Sequence, residues 1–301
     1  MIAAVILAWN NVDDTIACID SLRASTHPVD RVLLYDNGST DNTAAALAAH
    51  YADDPWVQFH ANNDNLGFAR GVNLGIREAF ALQATRVLLL NNDTIVDRAC
   101  LALLAAALDD NPRAAAAAPT IPYHDRPDTI WQAGGDWNRW KAGLDVPLKN
   151  RPVAERPTAP VSCTFLTGCA MLLDRSALER AGLFDERFYF YGEDAELCLR
   201  LVGAGHDLVY VPDAIVTHKI GDIARSRMSP FVLYHRGRAA LLVPRIHARR
   251  CEFAYAVVVQ YTIVTLFRML QLWRGGWSTA AFRAWFEGLA DGLVGSDRRR
   301  Y

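Results

Sequence analysis

Four times in the first 93 residues, an apolar run of strand length stops on a cluster of polar turn residues. Residues 2–8 (IAAVILA) stop at Trp9-Asn10, and residues 31–35 (RVLLY) at Asp36-Asn37-Gly38-Ser39. Residues 57–60 run to Asn62 through Asn65, and residues 87–90 (VLLL) to Asn91-Asn92-Asp93. Short, continuously apolar runs suit strands covered on both faces. Between them lie helical stretches. TIACIDSLRAS has Ile16, Ile19 and Leu22 at helical spacing, and an Ala-rich helix and a Gly-punctuated NLGFARGVNLGIREAFA follow. Strands separated by single helices imply right-handed crossovers and a mostly parallel sheet flanked by helices, Rossmann-like in its alternation. Ligands of such sheets bind at the carboxyl ends of strands, so all four polar clusters fall on one rim.

Beyond residue 118 the pattern changes. Residues 119–160 hold seven of the thirteen prolines and three tryptophans, and read as long loops with a hairpin lying over a site. CTFLTGCAMLLD is strand-like, RSALERAG helical, and DLVYVP a last strand; from about residue 228 the chain reads as helical. The expected organisation is a body over 1–225, divided into halves at 1–118 and 119–225, with a helical extension over 226–301.

Charge separates the same two parts. Residues 1–217 carry 17 basic against 28 acidic side chains, and residues 218–301 carry 14 against 5. A basic, Trp-containing tail on an acidic body suits an anionic phospholipid surface; docking onto its own body is the alternative. The six cysteines form no C-x-x-C pair, which fits reduced thiols in a cytoplasmic protein rather than a zinc or redox site. MIAAVILAWNN lacks a basic n-region and reads as a buried strand, not a signal peptide.

A strand ending on NND has two explanations, turn chemistry or a bound nucleotide and metal. YDNGSTDNT at 35–43, NLGFARGVNLGI at 65–76 and LLLNNDT at 88–94 resemble the nucleotide-sugar half of family 2 glycosyltransferases, which have the inverting GT-A fold. FLTGCAMLLDRSALERAGLFDERFYFYGEDAELCLRLVGAG and VYVPDAIVTHKIG resemble the acceptor half of bacterial rhamnosyltransferase and galactofuranosyltransferase-like members. The likeness covers about residues 1–225, with the motifs in the family's order.

The resemblance implies roles. Asp93 is the metal ligand of a degenerate D-x-D motif, with Asn91 at its first position, and His218 completes the site for Mg2+ or Mn2+. Both ions favour oxygen donors, and Mn2+ also accepts imidazole. Asp36 accepts a hydrogen bond from the pyrimidine ring of UDP or dTDP. Asn10 and Asn92 border the nucleotide, and Arg70 lies near it or pairs with a neighbouring acid. Asp194, of the Glu193-Asp194 pair, is the general base, its ionised form favoured at a helix N-terminus. Gly168 allows close backbone approach beside the donor sugar. The aromatics of FDERFYFYG line an acceptor groove or pack the core.

Residues 253–273 are long enough to span a membrane. Gln260, Arg268 and Gln271 fall within about 80° of arc, a one-sided polar stripe that suits a helix lying flat at an interface. AAFRAWFEGLADGL and the terminal DRRRY extend that picture. The alternative is burial of the helix against the body or in a homo-oligomer. The expected partners are thus a nucleotide-sugar donor, a glycan or polyprenyl-linked acceptor and the inner face of the plasma membrane, with no nucleic acid. A sugar nucleotidyltransferase would need a Gly-rich, basic loop after the first strand, which WNNVDD does not offer. A non-catalytic scaffold would not need Asp93, Asp194 and His218 together.

Overall fold

The computed structural model describes residues 1–220 and 228–297. The expected boundary at 225 and the terminal residues 298–301 of DRRRY lie outside the described residues. The first half follows the expected alternation: β1 (Ile2–Ala8), α1 (Val12–Arg23), β2 (Arg31–Asp36), α2 (Thr43–His50), β3 (Val57–Ala61), α3 (Phe68–Ala81) and β4 (Arg86–Asn91). Strands β3-β2-β1-β4 pair in parallel. Side-chain alternation along β1 builds the layers. Ile2, Ala4, Ile6 and Ala8 meet Cys18, Ile19 and Leu22 of α1 on one face, while Ala3 and Val5 meet Val72 and Ile76 of α3 on the other.

The sheet then continues through strands that local sequence does not announce. β5 (Thr94–Val96) and α4 (Cys100–Asp110) lead into β6 (Ala114–Pro122), all nine residues of which are buried. The run AAAAAPTIP carries no strand alternation, and Ala favours helix. It is extended because it lies between β11 (Ala170–Asp174), antiparallel to it, and β12 (Asp207–His218), parallel to it. β11 is also antiparallel to β4, so β6 and β12 recover the direction of β1 to β4. The full order is β10-β12-β6-β11-β4-β1-β2-β3, with β10 (Val161–Cys163) antiparallel at one edge. The body is therefore a mixed α/β fold with a central, mostly parallel sheet.

Two expectations are narrowed. Only residues 170–174 of CTFLTGCAMLLD pair with β4, and 164–169 form the loop that contains Gly168. The segment 119–160 begins inside β6, adds β7 (Ile130–Gln132), and contains the expected hairpin as β8 (Asp136–Asn138) and β9 (Gly143–Asp145).

Helices α5 (Arg175–Ala181) and α6 (Glu193–Gly203) cover the second half of the sheet on the α3 face. Three helices follow: α7 (Pro230–His247), α8 (Arg250–Arg274) and α9 (Thr279–Val294). Their starts are written locally. Ser229 accepts from the Val232 N–H at 3.3 Å with Pro230 in the first turn, and Ser278 accepts from the Ala281 N–H at 3.2 Å. Leu233, Leu241, Leu272, Trp285 and Leu289 form a separate core among these helices.

Candidate active site

Register brings the strand ends together. Leu7 pairs with Asn91, Ala8 with Asp36, and Asp36 with Ala61, so the loops after β1 to β4 open on one edge. Asn10 and Asn11 both adopt left-handed backbone (φ 58° and 60°), which Asn tolerates better than most residues. The Asn10 N–H donates to Ser39 Oγ at 2.7 Å, and the Thr40 N–H donates to Asn10 Oδ1 at 3.0 Å. Asp36 is buried and accepts from both the N–H of Ser39, at 3.0 Å, and its hydroxyl. Ser39 thus ties Asn10 and Asp36 into one floor. Asn37, buried beside them, donates to Asn65 Oδ1 at 3.1 Å and accepts from the Leu66 N–H at 3.1 Å, anchoring the loop after β3.

Asn91 and Asn92 hold the fourth strand end in different ways. The Asn91 N–H donates to the Cys169 carbonyl at 2.9 Å, while its own carbonyl accepts from Thr94 Oγ1 at 2.7 Å. Asn92 Nδ2 donates to Thr15 Oγ1 at 2.9 Å, which ties this turn to α1. Asp93 then meets the far end of the chain. β12 pairs with β5, placing His218 opposite Thr94, and His218 Nε2 lies 3.0 Å from Asp93 Oδ1. Trp131 packs edge-on against the imidazole at 4.4 Å, and its buried Nδ1 has no hydrogen-bond partner. An oxygen and a nitrogen donor side by side match the ligand types of Mn2+. Among the described residues no group of three His, Cys, Asp or Glu gathers.

Arg70 is exposed on the first turn of α3. Its charge acts on Glu186, which Asn73 and Arg77 bind directly at 3.1 and 2.9 Å.

Asp194 lies in the first turn of α6. The helix starts from Gly192, whose φ of 94° favours glycine, and whose added Cβ would lie 2.7 Å from that of Ala239. Asp194 Oδ1 accepts from the Ala195 N–H at 2.8 Å, and Oδ2 from the Gly168 N–H at 3.4 Å. A Cβ on Gly168 would press on the Phe68 ring at 3.1 Å, so glycine permits this approach. Burial raises the Asp194 carboxyl, and these two N–H groups oppose the rise. Glu193 is pushed up to about 8 by burial and by Asp194 beside it. Its Oε2 is buried with no partner. Burial thus raises both carboxyls, and the backbone donors at Asp194 favour placing the pair's charge there.

Cys169 connects the two carboxylate centres. It follows Gly168, its carbonyl holds Asn91, and its thiol is raised by burial and by the charges of Asp93 and Asp194. Such a thiol is no nucleophile at neutral pH. The aromatics of 184–192 divide as well: Phe184 and Phe188 are buried, while Tyr189 reaches Asn65 Oδ1 at 3.0 Å and stacks on His235 of α7.

Residues 3–182 match the family described as Glycosyl transferase family 2. The chain belongs to glycosyltransferase family 2. It is 30% identical over 248 residues to the N-acetylglucosaminyl-diphospho-decaprenol L-rhamnosyltransferase of Mycobacterium tuberculosis, covering 75% of this chain and 78% of that one. It is 26% identical over 221 residues to the dTDP-rhamnosyl transferase RfbF of Shigella flexneri, covering 71% and 70%. Its fold is similar to that of GalNAc-T7 solved with UDP, GalNAc and Mn2+ (TM-score 0.64, 17% identity), covering 98% of this chain and 57% of that one. It is also similar to the mannosyltransferase PcManGT from Pyrobaculum calidifontis with GDP-Man and Mn2+ (TM-score 0.60, 14% identity), covering 97% and 86%. These are GT-A folds.

Several residues of this candidate site escape a reading of motifs. Glu193 looks like a solvated first-turn acid, and only its burial reveals otherwise. Lys219, beside His218, bonds Asp14 of α1 at 2.5 Å and closes the first strand loop against the last strand. Trp131 comes from the Pro/Trp-rich segment, where no periodicity marks it.

Proposed function

We propose that this glycosyltransferase moves a sugar, with inversion, from a pyrimidine nucleotide sugar to a glycan or polyprenyl-linked acceptor in cell-surface polysaccharide synthesis. The favoured donor is dTDP-rhamnose, ahead of UDP-sugars, as the names of the two bacterial relatives suggest. Catalysis belongs to residues 1–225 at the cytoplasmic face of the plasma membrane, with 226–301 as the membrane-associating extension. The observation that carries this reading is the position of Asp194, held by two backbone N–H groups beside the loop that supports the Asp93–His218 pair.

In this reading Asp36 accepts the pyrimidine ring N–H; the Ser39 contacts leave each of its oxygens a further lone pair. Asn10, Asn91, Asn92 and Arg70 border the nucleotide. Asp93 and His218 would hold Mg2+ or Mn2+, which supplies charge neutralisation to the departing diphosphate. Asp194 removes the proton from the acceptor hydroxyl as its oxygen attacks the anomeric carbon from the side opposite the diphosphate. The new glycosidic bond forms as the bond to the nucleotide breaks. The proton stays on Asp194 and the electron pair leaves with the nucleoside diphosphate.

The test is titration calorimetry of UDP, dTDP and GDP with and without Mn2+, alongside turnover with dTDP-rhamnose. The wild type is expected to bind dTDP or UDP more tightly with Mn2+, and Asp93→Ala to lose that gain. Asp194→Asn should keep nucleotide binding and lose roughly 10²- to 10⁴-fold in turnover. Absence of all nucleotide binding in the wild type would overturn the proposal.

A further inference from the structure

Helix α8 is amphipathic the wrong way round for a water-soluble surface helix. Its polar stripe faces the protein: Gln260 is buried and donates to the Ala142 carbonyl at 3.1 Å, and Arg268 bonds Gln271 at 2.8 Å over the Trp285 ring. Its outer face is apolar. Val258, Ile263, Leu266, Phe267, Leu270 and Trp273 are each between 46% and 73% exposed. The helix has 25 residues, with a π-helical turn at Gln260–Val264, and the exposed apolar residues run from Val258 to Trp273. Soluble proteins rarely leave so long an apolar face uncovered.

The hairpin β8–β9 extends this face. Trp140, at its tip, is 73% exposed, and its carbonyl accepts from Tyr255 Oη of α8 at 2.9 Å. Arg139 of the same tip pairs with Glu252 at 3.4 Å. With the Gln260–Ala142 bond, these contacts strap the hairpin to the helix, so both present one surface. Trp277, just past the end of α8, is also exposed.

Charge indicates what covers the surface. Exposed Arg249 and Arg250 stand at one end of α8 and exposed Arg274 at the other. Glu252 is the one acidic residue in the sequence from 223 to 286, and the Arg139 pair neutralises it. An apolar band bordered by arginines and tryptophans matches the acyl–headgroup boundary of an anionic bilayer. A helix whose polar side is bound to its own domain lies along that boundary instead of crossing it.

We infer that α8 and the Trp140 hairpin form a single monotopic insertion surface that seats this chain on anionic phospholipid. The inference deepens the lipid-linked-acceptor reading and rests on it for the choice of a membrane. The test is co-sedimentation of the full chain with phosphatidylcholine vesicles, with and without phosphatidylglycerol, with light scattering and dTDP and UDP calorimetry on the same samples. The wild type should sediment with the phosphatidylglycerol vesicles and less so as salt rises. Leu266→Ser with Phe267→Ser should lower partitioning roughly tenfold or more, and Trp140→Ser, on a separate element, should lower it too. Failure of the wild type to bind either vesicle overturns the inference, as does a wild-type dimer that the double substitution converts to monomer without vesicle binding. Retained nucleotide binding in those cases leaves the transferase reading standing. Vesicle binding without nucleotide binding supports this surface and counts against that reading alone.

Discussion

Two adjacent carboxylates, equivalent in a motif, become different acids in the fold. Asp194 has two backbone donors to stabilise its charge, whereas Glu193 Oε2 has none. The consequence for stability has a definite sign. A carboxyl whose folded pKa is raised from 4.5 to about 8 must take up a proton on folding between those values. Its favourable contribution is whole below about 4.5, declines as pH rises, and is gone above about 8. Glu193→Gln keeps the neutral shape without that proton. Its melting temperature relative to wild type should therefore climb from pH 5 to about 8 and then level off, as thermal denaturation across pH would show. A constant offset would place Glu193 in a solvated position.

The helical extension turns on contacts that only small residues permit. α7 and α9 meet so closely that a Cβ on Gly288 would lie 2.1 Å from the Tyr234 carbonyl oxygen, and one on Gly292 2.3 Å from that of Arg238. Alanine is the better helix former by about 1 kcal/mol, yet these clashes are with backbone and can be relieved only by separating the helices. Gly292→Ala should destabilise by about 1–3 kcal/mol in denaturant unfolding. Gly203→Ala, in α6 with open space around it, should be neutral or slightly stabilising. At the same scale, β6 shows local propensity overruled. Its alanines fit a strand enclosed on both sides, and Pro119 sits where the β6–β12 register slips.

Across the whole molecule, the extension grips the helix that carries Asp194. Glu196, nearly fully buried on α6, bonds Arg200 at 2.8 Å and His247, the last residue of α7, at 3.2 Å. Burial pushes the Glu196 carboxyl up, and His247 and Arg200 together more than reverse it. A lowered folded pKa gives stability that is present above the usual value of 4.5 and lost as pH falls through the folded one. Glu196→Gln should cost about 3 kcal/mol at neutral pH, read from denaturant unfolding. The gap to wild type should close below about pH 4.5; a gap that persists in acid would show that packing, not charge, holds α7 to α6.

What the sequence by itself determined is the order of elements in the first half and the rim on which Asn10, Asp36, Asn91 and Asp93 lie. An apolar run followed by turn residues is a local signal, and parallel alternation sends every such end to one edge. Resemblance to the family, rather than its place in a first helical turn, marked Asp194, and spacing marked the polar stripe of α8. The tertiary structure alone decided the rest. Asp93 and His218 meet through the β5–β12 pairing, Glu193 loses its solvent beneath neighbouring elements, and β6 is extended because strands flank it. The stripe of α8 shows the limit most clearly. Periodicity establishes that a helix has two faces, but which face turns inward depends on partners distant in the chain. Here the Ala142 carbonyl and the Trp285 ring draw the polar side in and leave the apolar side outward.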